Sequence, residues 1–564
     1  MLIPVDAQIT IVLAVDHSAA IRTTPSRPLV IVAADRGKWN DFSKNFHADV
    51  YVLKDEGEPH RLQAFLVFAD AERSRGRIEE LLGERPTLAL NDIPDIFCTI
   101  MMDDGSYRDI VTQLGLASAT AALRGMHDVV LANAEKRDEP FLLLTRTQDF
   151  HEAALRQERT WVALRRGGRH LRMEPLPILE DAAQTFTMTA NLPGLPTAYE
   201  LTIAFENNPL LRGRMAVLLG SNGSGKTRLL RSLVDGLLAA APWPELRGDG
   251  PAATFDPPPR FSKLVVLSSV ATDQFPRAIP PWAGLDYRYH SMTGRRDEPD
   301  DDLTLALLDC LREDLTDGAF ADGGRMDLLR EMIEPLGVRA HLHVELRPVD
   351  PPDNLGGSVV GHGGKLYAKI FGRMPERNRL RMISRVVTQA SPMVITNGEH
   401  RPLSSGELAL LRFAAQSTAA VERATLFLFD EPETHLHPNF VSRFMAMLGR
   451  LLDLTGSAAI IATHSAYVVR EVPSRSVKVL VVDDGGALAL EPRMQTFGAS
   501  IDAISQFVFG DTEPDHLYLR TLREWVDQQP AGLTVERLVE EYSGLLNPET
   551  LSYLARLIRS RNEI

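Results

Sequence analysis

The stretch Met215-Ala216-Val217-Leu218-Leu219-Gly220-Ser221-Asn222-Gly223-Ser224-Gly225-Lys226-Thr227 decides the fold. Its apolar run reads as a strand buried on both faces, and Arg228–Leu238 continues in a helical pattern. Between them, Gly220 to Thr227 fits G-x-x-x-x-G-K-[ST] without deviation. Glycines let such a loop curl until successive backbone N–H groups face a phosphate, and the helix N-terminus adds its dipole. Lys226 can reach β- and γ-phosphates, and the Thr227 hydroxyl can ligate Mg2+. Three glycines alone could make an ordinary tight turn. The Lys-Thr pair and both flanks argue instead for a phosphate-binding loop in an α/β protein.

Three further motifs extend the site. Thr425-Leu426-Phe427-Leu428-Phe429-Asp430-Glu431 is an apolar strand ending in two acids, at the strand end where ligands gather in open α/β sheets. Asp430 is expected to hold Mg2+, directly or through water, and Glu431 to polarise the attacking water as a general base. Ile460-Ile461-Ala462-Thr463 is an apolar strand ending at His464, a position where a histidine can be structural or part of the site. Leu403-Ser404-Ser405-Gly406-Glu407 opens a helix, and Ser404 with Glu407 can form a capping box. After the strand Leu264–Leu267, Gln274 is either a Mg2+ and water contact or a plain loop residue. His435 and His437 would suit a metal pair or a loop alike.

The set resembles the ABC-type ATPases of the overcoming-lysogenization-defect, RecF and SMC group. It looks closest to the defence-associated branch, which includes Septu and retron-associated ATPases. Asp430-Glu431-Pro432-Glu433-Thr434-His435-Leu436-His437-Pro438 and the signature at Leu403–Glu407 carry that likeness. It spans about residues 186–510 and includes Thr496–Ser500 and Val508–Gly510. The resemblance implies an ATPase using ATP and Mg2+, with Lys226, Glu431 and His464 in catalysis. It also implies that Ser404, Ser405, Gly406 and Glu407 bind the γ-phosphate of ATP held by a second copy, as an ATP-sandwich homodimer or higher oligomer. His435 and His437 then fall in the D-loop. Transporters usually carry Leu-Ser-Gly-Gly-Gln as signature, so a transporter is a poor fit. Some relatives continue into a Toprim nuclease, but the residues after Gly510 read as helices. The expected function is therefore control of a separately encoded effector, such as a nuclease, in antiviral defence. The alternative is a DNA-repair or DNA-end-processing ATPase of the RecF or SMC kind, although no long heptad pattern runs through residues 230–400.

Bulk properties set the frame. At 564 residues the chain should hold two or three domains, and 44% hydrophobic with 24% charged residues is a globular balance. The expected fold class is α/β: a mixed α/β accessory domain over 1–180, an ABC-type P-loop ATPase domain over 186–510 with a helical or irregular insertion near 285–400, and a helical tail over 511–564. No run suits a membrane helix, Ile9–Val15 reads as a first strand, and Cys98 and Cys310 have no metal-ligand spacing. A cytoplasmic protein is the simple reading. A net charge of −14 confines any nucleic-acid contact to local patches. Candidates are Arg156, Arg159, Arg165, Arg166, Arg169 and Arg172, and the group Arg373, Arg377, Arg379, Arg381 and Arg385. Internal pairing is the competing reading for both. The acids at Asp103, Asp104 and Asp109 read as a capped helix start, and the run Asp297–Asp302 as a solvated loop.

Overall fold

Strand pairing begins at the phosphate-loop strand. The computed structural model describes residues 9–562 except 36–44, 55–56, 72, 156, 175–178, 206–212, 222, 240–251, 293–301, 313–323, 350–358, 372–374, 435, 484–485, 509–516 and 531–532. Asn222, Arg156, Arg373, His435, Phe509, Gly510 and most of the acidic run at 297–302 therefore lie outside the described residues. The largest sheet runs in the order Tyr287–Ser291, Lys263–Ser268, Thr425–Asp430, Ala458–Thr463, Met215–Leu219, Val477–Asp483, Gly486–Leu490. All neighbours are parallel except the last pair. The central strands are buried throughout, which their unbroken apolar sequences require.

Register positions the chemistry. Asp430 pairs with Ala462 and Thr463 with Leu219, so the phosphate-loop strand, the acid strand and the histidine strand end level. A helix, Lys226–Leu237, leaves the loop, and a three-stranded antiparallel sheet of Thr254–Asp256, Phe186–Ala190 and Tyr199–Ile203 shares its core. Met188, Leu201, Leu229, Leu233, Val266 and Leu428 belong to this one cluster.

The N-terminal stretch forms a six-stranded mixed sheet in which Thr10–Ala14 pairs parallel to Leu29–Ala34. Asp103 Oδ1 accepts from the Ser106 amide at 2.8 Å, which makes that acidic cluster a capped helix start. Residues 285–400 hold the helices Asp302–Leu311, Arg325–Ile333 and Glu376–Arg385, and also a five-stranded antiparallel sheet. That sheet is an addition to the sequence expectation. Its strands have only four or five residues, too short for a clear two-residue period. Two of its turns were nevertheless written locally, at Gly363-Gly364 and Asn397-Gly398, where both residues of each pair have positive φ as a tight hairpin demands.

Tertiary contacts divide the chain into Met1–Ala499 and Ser500–Ile564. The second unit holds helices Leu517–Gln528, Val535–Tyr542 and Pro548–Asn562, with Val526, Leu538, Leu554 and Ile558 as their core. No helix among the described residues is long and apolar enough to cross a membrane.

Much of the first arginine group turns inward. Arg165 makes a forked pair with Asp309 at 2.8 and 2.9 Å, while Arg166 and Arg169 reach Glu422 at 3.2 and 2.9 Å. Arg325, with no exposed surface, meets Glu422 at 3.2 Å and the Thr418 carbonyl at 2.5 Å. Burial opposes ionisation of Glu422, but the Arg169, Arg166 and Arg325 guanidiniums hold its carboxyl far below the usual range. In the second group, Arg381 pairs with Glu152 and Arg385 donates to the Arg347 carbonyl. Glu422→Ala should therefore strip a buried cluster of its shared anion and lower stability by about 3–5 kcal/mol. Arg75→Ala, at an exposed i,i+4 pair with Glu79, should change it by less than about 0.5 kcal/mol. Urea midpoints of the two variants, compared with the parent chain, measure the contrast.

Candidate functional site

The loop after Leu219 curls because Gly223 and Gly225 take φ values of +89° and +87°, a conformation that side chains resist. Gly225 then caps the helix that starts at Lys226. From the adjoining sheet, the buried Tyr199 hydroxyl donates to the Ser224 carbonyl at 3.0 Å and pins the loop. The Lys226 ammonium turns back onto the loop, donating to the Gly220 and Ser221 carbonyls at 2.9 and 3.2 Å. It lies 3.7 Å from Glu431 Oε1.

Thr227 Oγ1 donates to Asp430 Oδ1 at 3.0 Å. The other carboxylate oxygen, Asp430 Oδ2, is buried without a partner. Burial, then the negative charges of Glu431 and Asp273, push the Asp430 carboxyl up to about 7 despite Thr227 and Lys226. A hydroxyl beside an unsatisfied, unwillingly charged carboxylate fits a small divalent cation that takes oxygen ligands. No group of three or more His, Cys, Asp or Glu among the described residues forms a protein-only cage, so the nucleotide phosphates would complete the shell.

Glu431 has φ +50°, a rare conformation for a residue with a side chain. Its amide donates to the Ala462 carbonyl at 2.9 Å, which ties it to the histidine strand. His464 Nδ1 lies 3.4 Å from Glu431 Oε1 and 3.6 Å from Glu433 Oε1. Glu433 is buried, accepts from the Thr463 hydroxyl, and accepts from the His464 amide at 3.2 Å. It thus fixes the strand end that carries His464, a positioning task that its place in the motif does not reveal.

Gln274 is exposed, and its backbone carbonyl accepts from Arg231 at 2.6 Å. The residue before it, Asp273, is buried between Arg277 at 2.9 Å and the Tyr289 hydroxyl at 2.8 Å, and its charge acts on Asp430. A carboxylate next to the expected glutamine is easily passed over, because only the fold brings its charge to bear.

The signature segment stands at the start of the helix Ser405–Ala420. The capping box forms: Ser404 accepts from the Glu407 amide, and Glu407 Oε2 accepts from the Ser404 amide at 2.8 Å. Arg401 grips Glu407 with two bonds of 2.9 Å, the main cause that holds this carboxyl down to about 2. A Cβ on Gly406 would meet the Phe440 ring at 2.7 Å, so this glycine admits the neighbouring helix Pro438–Thr455. Ser404 and Ser405 are exposed, and no hydrogen bond among the described residues joins them to the phosphate loop.

Residues 395–470 match the family model described as "AAA domain, putative AbiEii toxin, Type IV TA system". The chain is 26% identical over 408 residues to Protein ea59 of Escherichia phage lambda, covering 69% of this chain and 70% of that protein. Among solved structures, cbiO1 of Clostridium perfringens, part of the ABC transporter complex cbiONQ, aligns at 12% identity and a TM-score of 0.29. That alignment covers 62% of this chain and 97% of cbiO1. The SMC head domain of Thermotoga maritima aligns at 12% identity and a TM-score of 0.25, over 55% of this chain and 99% of the head. The parallel sheet and the convergence of Lys226, Thr227, Asp430, Glu431 and His464 at its carboxyl edge give this α/β chain the layout of a P-loop nucleotide site of the AAA/ABC ATPase-like fold.

The Asp430 shift has a thermodynamic consequence. Between about pH 4 and about pH 7 the folded, nucleotide-free protein keeps a proton that the unfolded chain has lost, so stability falls as pH rises through that window. The loss is at most about 4 kcal/mol, from a shift of roughly three pH units. Asp430→Asn keeps an acceptor for Thr227 and removes the ionisation. Calorimetry in EDTA should show the variant gaining on the parent chain from pH 5 to pH 8; a constant difference between the two would contradict the assignment.

Proposed function

We propose that the chain is an ATP-gated switch between two copies of itself, and that its state controls a separately encoded effector in antiviral defence. The observation that carries the catalytic half is Glu431, held at a strained φ with one carboxylate oxygen within 3.7 Å of both Lys226 and His464. In this reading the amides of Gly220–Gly225 and the Lys226 ammonium bind the β- and γ-phosphates. Thr227 and Asp430 hold Mg2+, with Gln274 as a further contact. When bound, Mg2+ neutralises charge building between those phosphates. Glu431 takes the proton of the attacking water, and His464 orients that water and the γ-phosphate. Ser404, Ser405, Gly406 and Glu407 of a second copy complete the phosphate shell through the exposed helix start. ATP then favours the closed dimer by contacts that exist only there, and phosphate loss releases it.

Two findings support the defence half. The family model matching residues 395–470 is described as that of a putative toxin of a toxin–antitoxin system, and the curated relative is encoded by a phage.

Glu431→Gln should bind ATP, lose at least about 100-fold in turnover and accumulate as a dimer by mass measurement. Full turnover in that variant would remove Glu431 from the mechanism. Lys226→Ala and Ser405→Arg should each be inactive alone. Mixed together they should recover part of the activity, since one composite site then has an intact loop and an intact signature; no recovery argues against a shared site. In cells carrying the chain with its neighbouring genes, Lys226→Ala should abolish protection against phage. Unchanged plaquing together with DNA-stimulated ATPase activity would favour the RecF or SMC reading instead.

A further inference from the structure

Between the helix Glu158–Arg166, the edge strand Tyr287–Ser291 and its inner neighbour Lys263–Ser268 lies a cavity of about 400 Å3. Its lining carries seven cationic side chains and one acid, Asp286. Acids behind the wall take up part of that charge: Asp309 meets Arg165, Glu422 meets Arg166 and Arg169, Asp104 meets Arg169, and Asp273 meets Arg277. With these four and Asp286 counted, the cations remain in excess by two.

Lys263 identifies where the excess sits. It is 3% exposed, and its ammonium makes no hydrogen bond or ion pair among the described residues. Burial pushes its pKa down to about 8, while Asp286 and Glu422 oppose that from a distance. Arg288 pairs with Val265 in the neighbouring strand, which puts it on the same sheet face as Lys263 and next to it. Its guanidinium donates to the Arg165 carbonyl at 3.2 Å. Lys136 adds an exposed cation to the lining. A buried cation such as Lys263 is unfavourable unless an anion meets it, and the exposed Arg288 and Lys136 leave the cavity open for one to enter. Leu164, Ile279 and Leu285 add an apolar patch to the wall, and the volume is that of a small-molecule site.

We propose that this cavity is a second anion site, which takes a small organic phosphate of nucleotide size. Its phosphates meet Lys263 and Arg288, and its organic part lies against Leu164, Ile279 and Leu285. The site is separate from the P-loop. Lys263 pairs with Thr425 at the start of the acid strand, whereas Ser268 pairs with Asp430 at its end. Five residues of strand, about 16 Å, separate the two levels.

The test uses the full chain carrying Lys226→Ala, so that the P-loop contributes little, with ADP and inorganic pyrophosphate as probes in calorimetry at low salt. Both should bind, and ADP at least about 10-fold more tightly, because the apolar wall covers its nucleoside. Lys263→Met and Arg288→Gln should each weaken both probes by about 10-fold or more. Lys263→Met should also melt no lower than its parent, since it removes a buried charge, while losing the ADP-induced rise in melting temperature. Absence of binding in the Lys226→Ala chain, or binding that survives both substitutions, overturns the site. Equal affinity for the two probes overturns its organic half.

Discussion

The hydrogen bond from Thr227 Oγ1 to Asp430 Oδ1 spans 203 residues of sequence, and the rest of the site depends on it. Asp430 ends one strand, Thr227 opens the helix that follows another, and those strands are not neighbours: the Ala458–Thr463 strand lies between Met215–Leu219 and Thr425–Asp430. Only when all three end level can the hydroxyl meet the carboxylate while His464 emerges between them. Parallel pairing supplies that register, and the buried apolar runs resist slippage because a one-residue shift would turn every side chain over.

The site also keeps charges in an uncomfortable state. The charges of Glu431 and Asp273 act on the buried Asp430, and Glu431 has a backbone conformation that disfavours its side chain. Such tension persists only where the surroundings impose it. Here the Ala462 carbonyl, the loop lysine and the histidine strand do so, and a bound cation would relieve the repulsion.

Local motifs were legible in the sequence because each is a short segment whose chemistry needs adjacent residues: Gly220–Thr227, Asp430-Glu431, Ser404–Glu407 and His464. The parallel core was legible from its apolar strands for the same reason. What escaped the reading is held together over long separations. Tyr199 anchors Ser224, Glu433 anchors the His464 strand end, and Asp273 stands where attention fell on Gln274. The five-stranded sheet was half legible, since its Gly-Gly and Asn-Gly turns are local signals that its short strands obscure. Arg165, Arg166 and Arg169 could have faced solvent or been paired internally, and only pairs such as Arg165 with Asp309 decide for internal pairing.

Gly406 has a role beyond leaving room. By admitting Phe440, it seats the signature helix directly on the helix Pro438–Thr455, which begins shortly after Glu431. In the proposed cycle, a change at Glu431 on phosphate release would lie close to the signature of the same chain. In a two-site dimer that signature would serve the opposite ATP, so each site would report its state to the other. Two hydrolysis events coupled in this way would fire in sequence, and the dimer would act as a timer with a one-ATP intermediate.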